Sequence, residues 1–203
     1  APAGPIRAIG AAVGGASSHD LALLARDPAV EHIDPWSAVY LDIETTGLSG
    51  GAGTYPFLVA LGRFEGASFE LWQGFLREPE DEPTLLAEIA RRIEESSGVV
   101  SFFGKSFDRH RLEDKMRLFG VRPPFDDRPH LDLYHPLQRL YGPAFDDGRL
   151  STMETQLCGV RREDDLSGAF APAAWFDYLA GRAHTLEAVF KHNFDDVLSL
   201  VTL

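Results

Sequence analysis

Two apolar runs, Pro56 to Phe64 and Ser68 to Leu76, are separated by little more than Glu65-Gly66. A link that short joins two strands only as an antiparallel hairpin, because a parallel crossover takes about a dozen residues or more. A third apolar run, Ala38 to Ile43, precedes them, so three strands are expected in series. Beyond Leu76 the period changes. Leu85, Leu86, Ile89 and Ile93 recur at helical spacing over about Pro83 to Glu95, behind acidic residues and a proline. Gly98 to Phe103 reads as a strand, Phe107 to Phe119 as a second helix ending at Gly120, and Pro129 to Leu133 as a short fifth strand. The remainder reads as helical. One short helix follows Asp132, one opens with the capping-box pattern Ser151-x-x-Glu154, one lies near Pro172 to Leu179, and the last begins near Thr185. Three strands in series followed by alternating helices and strands predict an α/β fold. Its mixed five-stranded sheet has three antiparallel strands, then parallel ones, and is flanked by helices.

At 203 residues, 44% hydrophobic and 25% charged, the chain has the material for one full core. Residues 36–203 are expected to form that domain, behind a flexible or partly ordered lead-in at 1–35. No apolar stretch approaches the roughly 20 residues that span a bilayer, so no membrane partner is expected. Ala1 to Ser18 is rich in Ala and Gly and lacks the layout of a signal peptide. Cys158 has no partner for a disulfide, which fits a reducing cytoplasm. The chain lacks an initiator Met and stops at Leu203 inside a helical pattern, the reading expected of part of a longer protein with a further domain beyond residue 203. The net charge of −12 argues against a broad nonspecific grip on nucleic acid. Positive charge is nevertheless concentrated at Lys105, Arg109, Arg111, Lys115 and Arg117.

The segment Asp42-Ile43-Glu44-Thr45-Thr46-Gly47-Leu48 closes the first strand. Strand side chains alternate, so Asp42 and Glu44 point one way while Leu41 and Ile43 point the other. Two carboxylates side by side repel unless one is protonated or a cation lies between them, and hard oxygen donors suit Mg²⁺ or Mn²⁺. Taken alone, an Asp-x-Glu at a strand end is an ordinary solvated turn. Asp108 sits in the first turn of the helix after the fourth strand, with Ser106 as its expected cap; strand-to-helix junctions of this kind line ligand crevices. On the last helix Leu186, Phe190, Asn193, Val197 and Leu200 define the buried face. Asp196 falls at its border and Asp195 nearly opposite, while His192 and Asp196, spaced i and i+4, face together. Asp132 is expected to cap the helix that follows it.

Gly104-Lys105-Ser106 is not a phosphate-binding P-loop, because position 99 is Val where that motif needs Gly. The glycines of Leu48 to Gly53 lack the following helix of a dinucleotide site.

Asp42-x-Glu44, Phe107-Asp108 and His192-x-x-x-Asp196, in this order and in these contexts, resemble the three motifs of the DEDD exonuclease superfamily, which has a ribonuclease H-like fold. Leu41 to Phe75, Gly104 to Asp108, Leu150 to Gly168, and His192 to Leu200 resemble the YprB-like ribonuclease H-like domain, so the likeness covers about Ala38 to Leu203. Ser101-Phe102-Phe103 departs from it where many members carry Asn, and the four-residue His-to-Asp spacing is that of the tyrosine subclass. The resemblance implies a two-metal 3′–5′ exonuclease acting on single-stranded DNA or RNA with a free 3′ end and releasing nucleoside monophosphates. Asp42, Glu44, Asp108 and Asp196 would hold two Mg²⁺ or Mn²⁺ ions, and His192 would act as the base. Thr45, Thr46, Gly47 and Leu48 would hold the terminal nucleotide. Lys105, Ser106, Arg109 and Arg111 would meet the incoming phosphates, with Phe102, Phe103 or Trp72 as stacking surfaces. The competing readings are a ribonuclease H-type endonuclease and a binding module with an inactive site.

Overall fold

The computed structural model describes residues 17–47, 53–162 and 166–203. It opens on a helix, α1 (Ser18–Ala25), and a 3-10 turn at Pro28–His32, within the expected lead-in. Both are anchored, since Ala22, Val30 and Ile33 are buried. Strand β1 (Val39–Thr45) follows, then the hairpin of β2 (Pro56–Glu65) and β3 (Ser68–Phe75). Gly66 turns the hairpin with φ of 60°, a left-handed conformation that glycine adopts without a Cβ clash. Both pairings are antiparallel, with Asp42 opposite Ala60 and Glu44 opposite Leu58.

The expected alternation comes next: α2 (Glu82–Glu94), β4 (Val99–Ser101), α3 (Asp108–Leu118) and β5 (His130–Asp132). β4 runs parallel to β1 and β5 parallel to β4, giving a five-stranded sheet in the order β3-β2-β1-β4-β5. The remaining helices are α4 (Tyr134–Tyr141), α5 (Leu150–Cys158), α6 (Ala171–Leu179) and α7 (Leu186–Thr202). Among the described residues no helix is long and apolar enough to cross a membrane.

The alternation of β1 divides two cores. Val39, Leu41 and Ile43 pack with Leu86, Ile89 and Ile93 of α2 and with Leu112 and Met116 of α3. Full burial of each such side chain contributes about 1.5–3 kcal/mol. On the other face Tyr40 packs with Leu137 of α4, Met153 of α5, and Val197 and Leu200 of α7. Asp42 and Glu44 share the face of Tyr40 and therefore look toward α7. Trp175 of α6, buried against Phe57, donates its indole N–H to Leu76 O at 2.8 Å and fastens α6 to the end of β3.

Three local expectations are corrected. The N-cap of α3 is Phe107, not Ser106. α5 begins at Leu150 behind Arg149, so Ser151 lies inside the helix and no capping box forms. Asp147 closes that end instead, accepting from Arg149 N at 3.0 Å and from the Thr152 hydroxyl at 2.6 Å, while Glu154 turns inward. The fourth strand also stops at Ser101, because Asp132 pulls the following backbone away: its carboxylate accepts from Phe103 N at 2.7 Å and Lys105 N at 3.1 Å. Phe103 there takes a φ of 61°, a conformation that costs a bulky residue energy and persists only when its surroundings hold it.

Candidate active site

The end of β1 supplies the first two carboxylates, and a register shift between Glu44 and Thr45 bends the strand immediately beyond them. Asp42 is held from α7. Asn193, wholly buried, donates its amide to Asp42 Oδ2 at 2.7 Å and to Asp42 O at 3.3 Å, and its carbonyl oxygen accepts from Gln73 Nε2 at 3.0 Å. A hydrogen-bonded line thus runs from β3 through α7 to β1. It fixes the Asn193 amide orientation, because only the nitrogen can donate to a carboxylate.

The residue before Asn193 on α7, His192, lies between two carboxylates: its Nε2 is 3.9 Å from Glu44 Oε1 and 3.6 Å from Asp196 Oδ2. Gly168 lets the chain approach this group, since a Cβ there would stand 3.4 Å from His192 Nε2 and 3.9 Å from both Glu44 carboxylate oxygens. Asp195 points elsewhere, to Lys191 Nζ at 2.9 Å. Asp108 arrives from the start of α3 and is buried. Gly104 makes room for it, because a Cβ at that position would fall 2.9 Å from Asp108 Oδ2 and 2.5 Å from Ser101 Oγ. The N-cap of α4 is Leu133 and not Asp132, which lies one residue earlier and accepts from Tyr134 N at 3.0 Å, while its bonds to Phe103 and Lys105 shape the loop leading to Asp108.

These carboxylates feel one another. Withdrawal from water, then the charges of Asp196, Glu44 and Asp108, raise the pKa of Asp42 well above the usual carboxylate range, opposed by the Asn193 bond. Asp108 is pushed up to about 8 by burial, then by Asp132 and Asp196. An all-oxygen, mutually repelling donor set fits a hard divalent cation, whose charge removes the penalty for ionising these groups. Among the described residues no three His, Cys, Asp or Glu side chains yet converge on a common point, and Asp196 Oδ1 lies 2.5 Å from Arg162 Nη1. The donors therefore share an electrostatic field without forming a closed cage.

The residues expected to contact substrate are placed more widely. Thr45 donates its hydroxyl to Gly47 O at 3.0 Å, and Thr46 pairs with Tyr55 through both its N–H and its hydroxyl. Gly47 borders open space, and Leu48 lies outside the described residues. Lys105 Nζ is 2.6 Å from Asp27, and Arg109 binds Glu113 at 2.6 Å and Asp126 at 2.9 Å. Both line a cavity with His130, away from the one lined by His192 and Asp196. Ser106 is exposed. Arg111 lies over the Phe107 ring, and Lys115 is buried in an ion pair with Glu82 at 3.0 Å. Trp72 is covered by Arg92 on the opposite core, and Phe102 packs against Tyr134. Phe103 is 46% exposed. Sequence reasoning did not find Arg162, Glu154 or Gln73. Their signal is a charge or amide bonded to groups on other elements, which becomes visible only once the elements are packed.

Residues 39–203 match the model of the RNase_H superfamily. The chain is similar to the uncharacterized protein YprB of Bacillus subtilis (strain 168), with 34% identity over 166 residues, 81% of this chain. It spans 40% of the length of that relative. Among solved structures it resembles the family B DNA polymerase of the hyperthermophilic archaeon Pyrobaculum calidifontis, at a TM-score of 0.62 and 15% identity over 81% of this chain and 23% of the polymerase. The product-bound structure of exonuclease I is also similar, at a TM-score of 0.48 and 16% identity over 76% of this chain and 46% of that one. The likeness to the polymerase is one of fold.

Proposed function

Because the chain belongs to the RNase_H superfamily, we propose that it is a divalent-metal-dependent nuclease, and more narrowly a 3′–5′ exonuclease that releases nucleoside monophosphates from single-stranded nucleic acid. One observation carries the reading. Asp42 from β1, Asp108 from α3 and Asp196 from α7 lie within one field, and His192 stands between Glu44 and Asp196.

Asp42, Glu44, Asp108 and Asp196 would hold the metal. Two Mg²⁺ or Mn²⁺ ions bound there would supply Lewis-acid stabilisation of the charge that develops on the phosphoryl oxygens. The protein's own groups do the rest. His192 accepts the proton of the attacking water through Nε2, which stands 3.9 Å from Glu44 Oε1 and 3.6 Å from Asp196 Oδ2. Asn193 keeps Asp42 aimed across the strand end by the 2.7 Å bond. A cleft of about 490 Å³ beside His192 and Asp196, walled by Arg149, Ser151, Arg162, Ser167 and Gly168, receives the terminal nucleotide. Its cationic and hydroxyl groups suit a phosphodiester backbone.

The test is cleavage of single strands of DNA and of RNA, each labelled at the 5′ or the 3′ end, in Mn²⁺ or in EDTA. Stepwise shortening from the 3′ end in Mn²⁺ alone is expected. Internal fragments would identify an endonuclease, and binding without cleavage an inactive module.

A further inference from the structure

Arg162 brings a permanent positive charge to the edge of the carboxylate group. Its side chain is only 6% exposed. Behind it sits Glu154, fully buried, which accepts from Arg162 Nε at 2.7 Å and from Nη2 at 3.0 Å. Nη2 also lies 3.3 Å from the Ser199 hydroxyl, and Ser199 itself donates to Glu154. The guanidinium is thus anchored by a carboxylate with no access to solvent. Its third nitrogen, Nη1, lies 2.5 Å from Asp196 Oδ1 and leaves Asp196 bridging a fixed cation and His192.

From this geometry we infer that Arg162 is a resident counter-cation for Asp196, which a divalent ion must displace, and that it thereby sets how much metal the site needs to load. The inference rests on the two-metal reading above. A carboxylate oxygen engaged by a guanidinium gives less of its lone-pair density to a second cation, and the two positive charges repel. Glu154 is what makes the competition real, because a guanidinium pinned from behind cannot travel with Asp196 toward Asp42. Arg162 is on this view a positioning residue. It keeps Asp196 compensated when metal is scarce and raises the metal concentration at which the site fills. A charge-assisted hydrogen bond is worth about 1.5–3 kcal/mol, so its loss corresponds to roughly a ten- to hundredfold change in metal affinity.

The alternative is that Arg162 merely ties α5 to α7. Removing it then leaves metal affinity unchanged or lowers it. Replacing Arg162 alone by a neutral residue strands the buried Glu154 charge and endangers the fold. The informative variants are therefore Arg162→Lys, whose single ammonium cannot fork onto Glu154 while reaching Asp196, and the double change Glu154→Gln with Arg162→Gln, which removes both buried charges. Mn²⁺ binding is measured by titration calorimetry at one pH, without nucleic acid, for these two, the unaltered protein and Asp42→Asn. The inference expects Mn²⁺ to bind roughly ten- to a hundredfold tighter in the double variant and more modestly tighter in Arg162→Lys. Equal or weaker binding in a double variant that melts cooperatively overturns it. If the double variant does not fold, Arg162→Lys decides alone: tighter binding supports the inference, and unchanged or weaker binding overturns it. A protein that binds no Mn²⁺ overturns both this inference and the two-metal reading. Binding that Asp42→Asn abolishes, but that the Arg162 variants do not tighten, overturns the inference and leaves the reading intact.

Discussion

The amide of Asn193 donates to the carboxylate of Asp42 at 2.7 Å, across 151 positions of sequence. The same side chain accepts from Gln73, so one buried amide links the hairpin, the central strand and the last helix. Replacing Asn193 by Ala leaves a buried carboxylate oxygen and a glutamine N–H without this partner. The expected cost is about 1–3 kcal/mol of stability by chemical denaturation. Losing a partner of this kind also costs about 10- to 100-fold in metal affinity or activity. A variant with full Mn²⁺ affinity and full turnover removes Asn193 from the proposed mechanism.

Asp42→Asn and His192→Ala separate two roles. The first takes a central donor from the carboxylate group and is expected to abolish hydrolysis while the cooperative melt persists. The second removes only a proton acceptor, so a loss of about 10²- to 10⁴-fold is expected, with activity still measurable. Single-turnover rates on an end-labelled strand make the comparison, and equal residual rates in the two variants contradict the assignment.

Asp108 makes stability depend on pH in an unusual direction. Its pKa of about 8 in the folded chain lies above the ordinary 3.8, so between these values the folded protein holds a proton that the unfolded chain has released. Its stabilising contribution is complete below pH 3.8 and is lost as pH rises through 8, with a slope of up to about 1.4 kcal/mol per pH unit. Asp42 shifts in the same direction. The metal-free protein should therefore melt at falling temperature as the pH is raised from about 5 to about 8.5, and Asp108→Asn should flatten that profile. Mn²⁺ replaces the proton, so it should raise the melting temperature more at about pH 8 than at about pH 6. An equal increment at both values counts against a metal at these carboxylates.

Gly104 tests the packing around Asp108. An alanine methyl there meets Ser101 Oγ at 2.5 Å and Asp108 Oδ2 at 2.9 Å, which forces side chains or backbone to move. Gly104→Ala is expected to cost about 1–3 kcal/mol and to reduce cleavage beyond what that loss explains. Thermal melts and initial rates measured together decide the point, and unaltered cleavage shows that Asp108 tolerates displacement.

Much of the sheet was legible because its causes are local. The near-absence of residues between β2 and β3 imposes a hairpin, helical periodicity marks α2, and the alternation along β1 puts Asp42 and Glu44 on one side whatever lies opposite them. Where the reading failed, a distant group outbid the local one. Ser151 looked like a cap because its neighbours in sequence fit the pattern, but Glu154 is drawn inward by Arg162 and Ser199. The charges of the basic window around Lys105 are met by Glu113 within the window and by Asp27, Glu82 and Asp126 from other parts of the chain, partners whose approach the local sequence does not reveal.

The sequence by itself determined the strand and helix periods, the shared direction of Asp42 and Glu44, and the pairing of His192 with Asp196 along one helix, since each follows from backbone geometry within a few residues. Tertiary structure alone decided which groups those carboxylates meet. The Asn193 bond to Asp42, the approach of Gly168 to His192, and the Arg162 guanidinium on Asp196 all depend on where separate elements come to rest. Electrostatic interactions and hydrogen bonds act over distances in space, and distance in space is fixed only when the chain has folded.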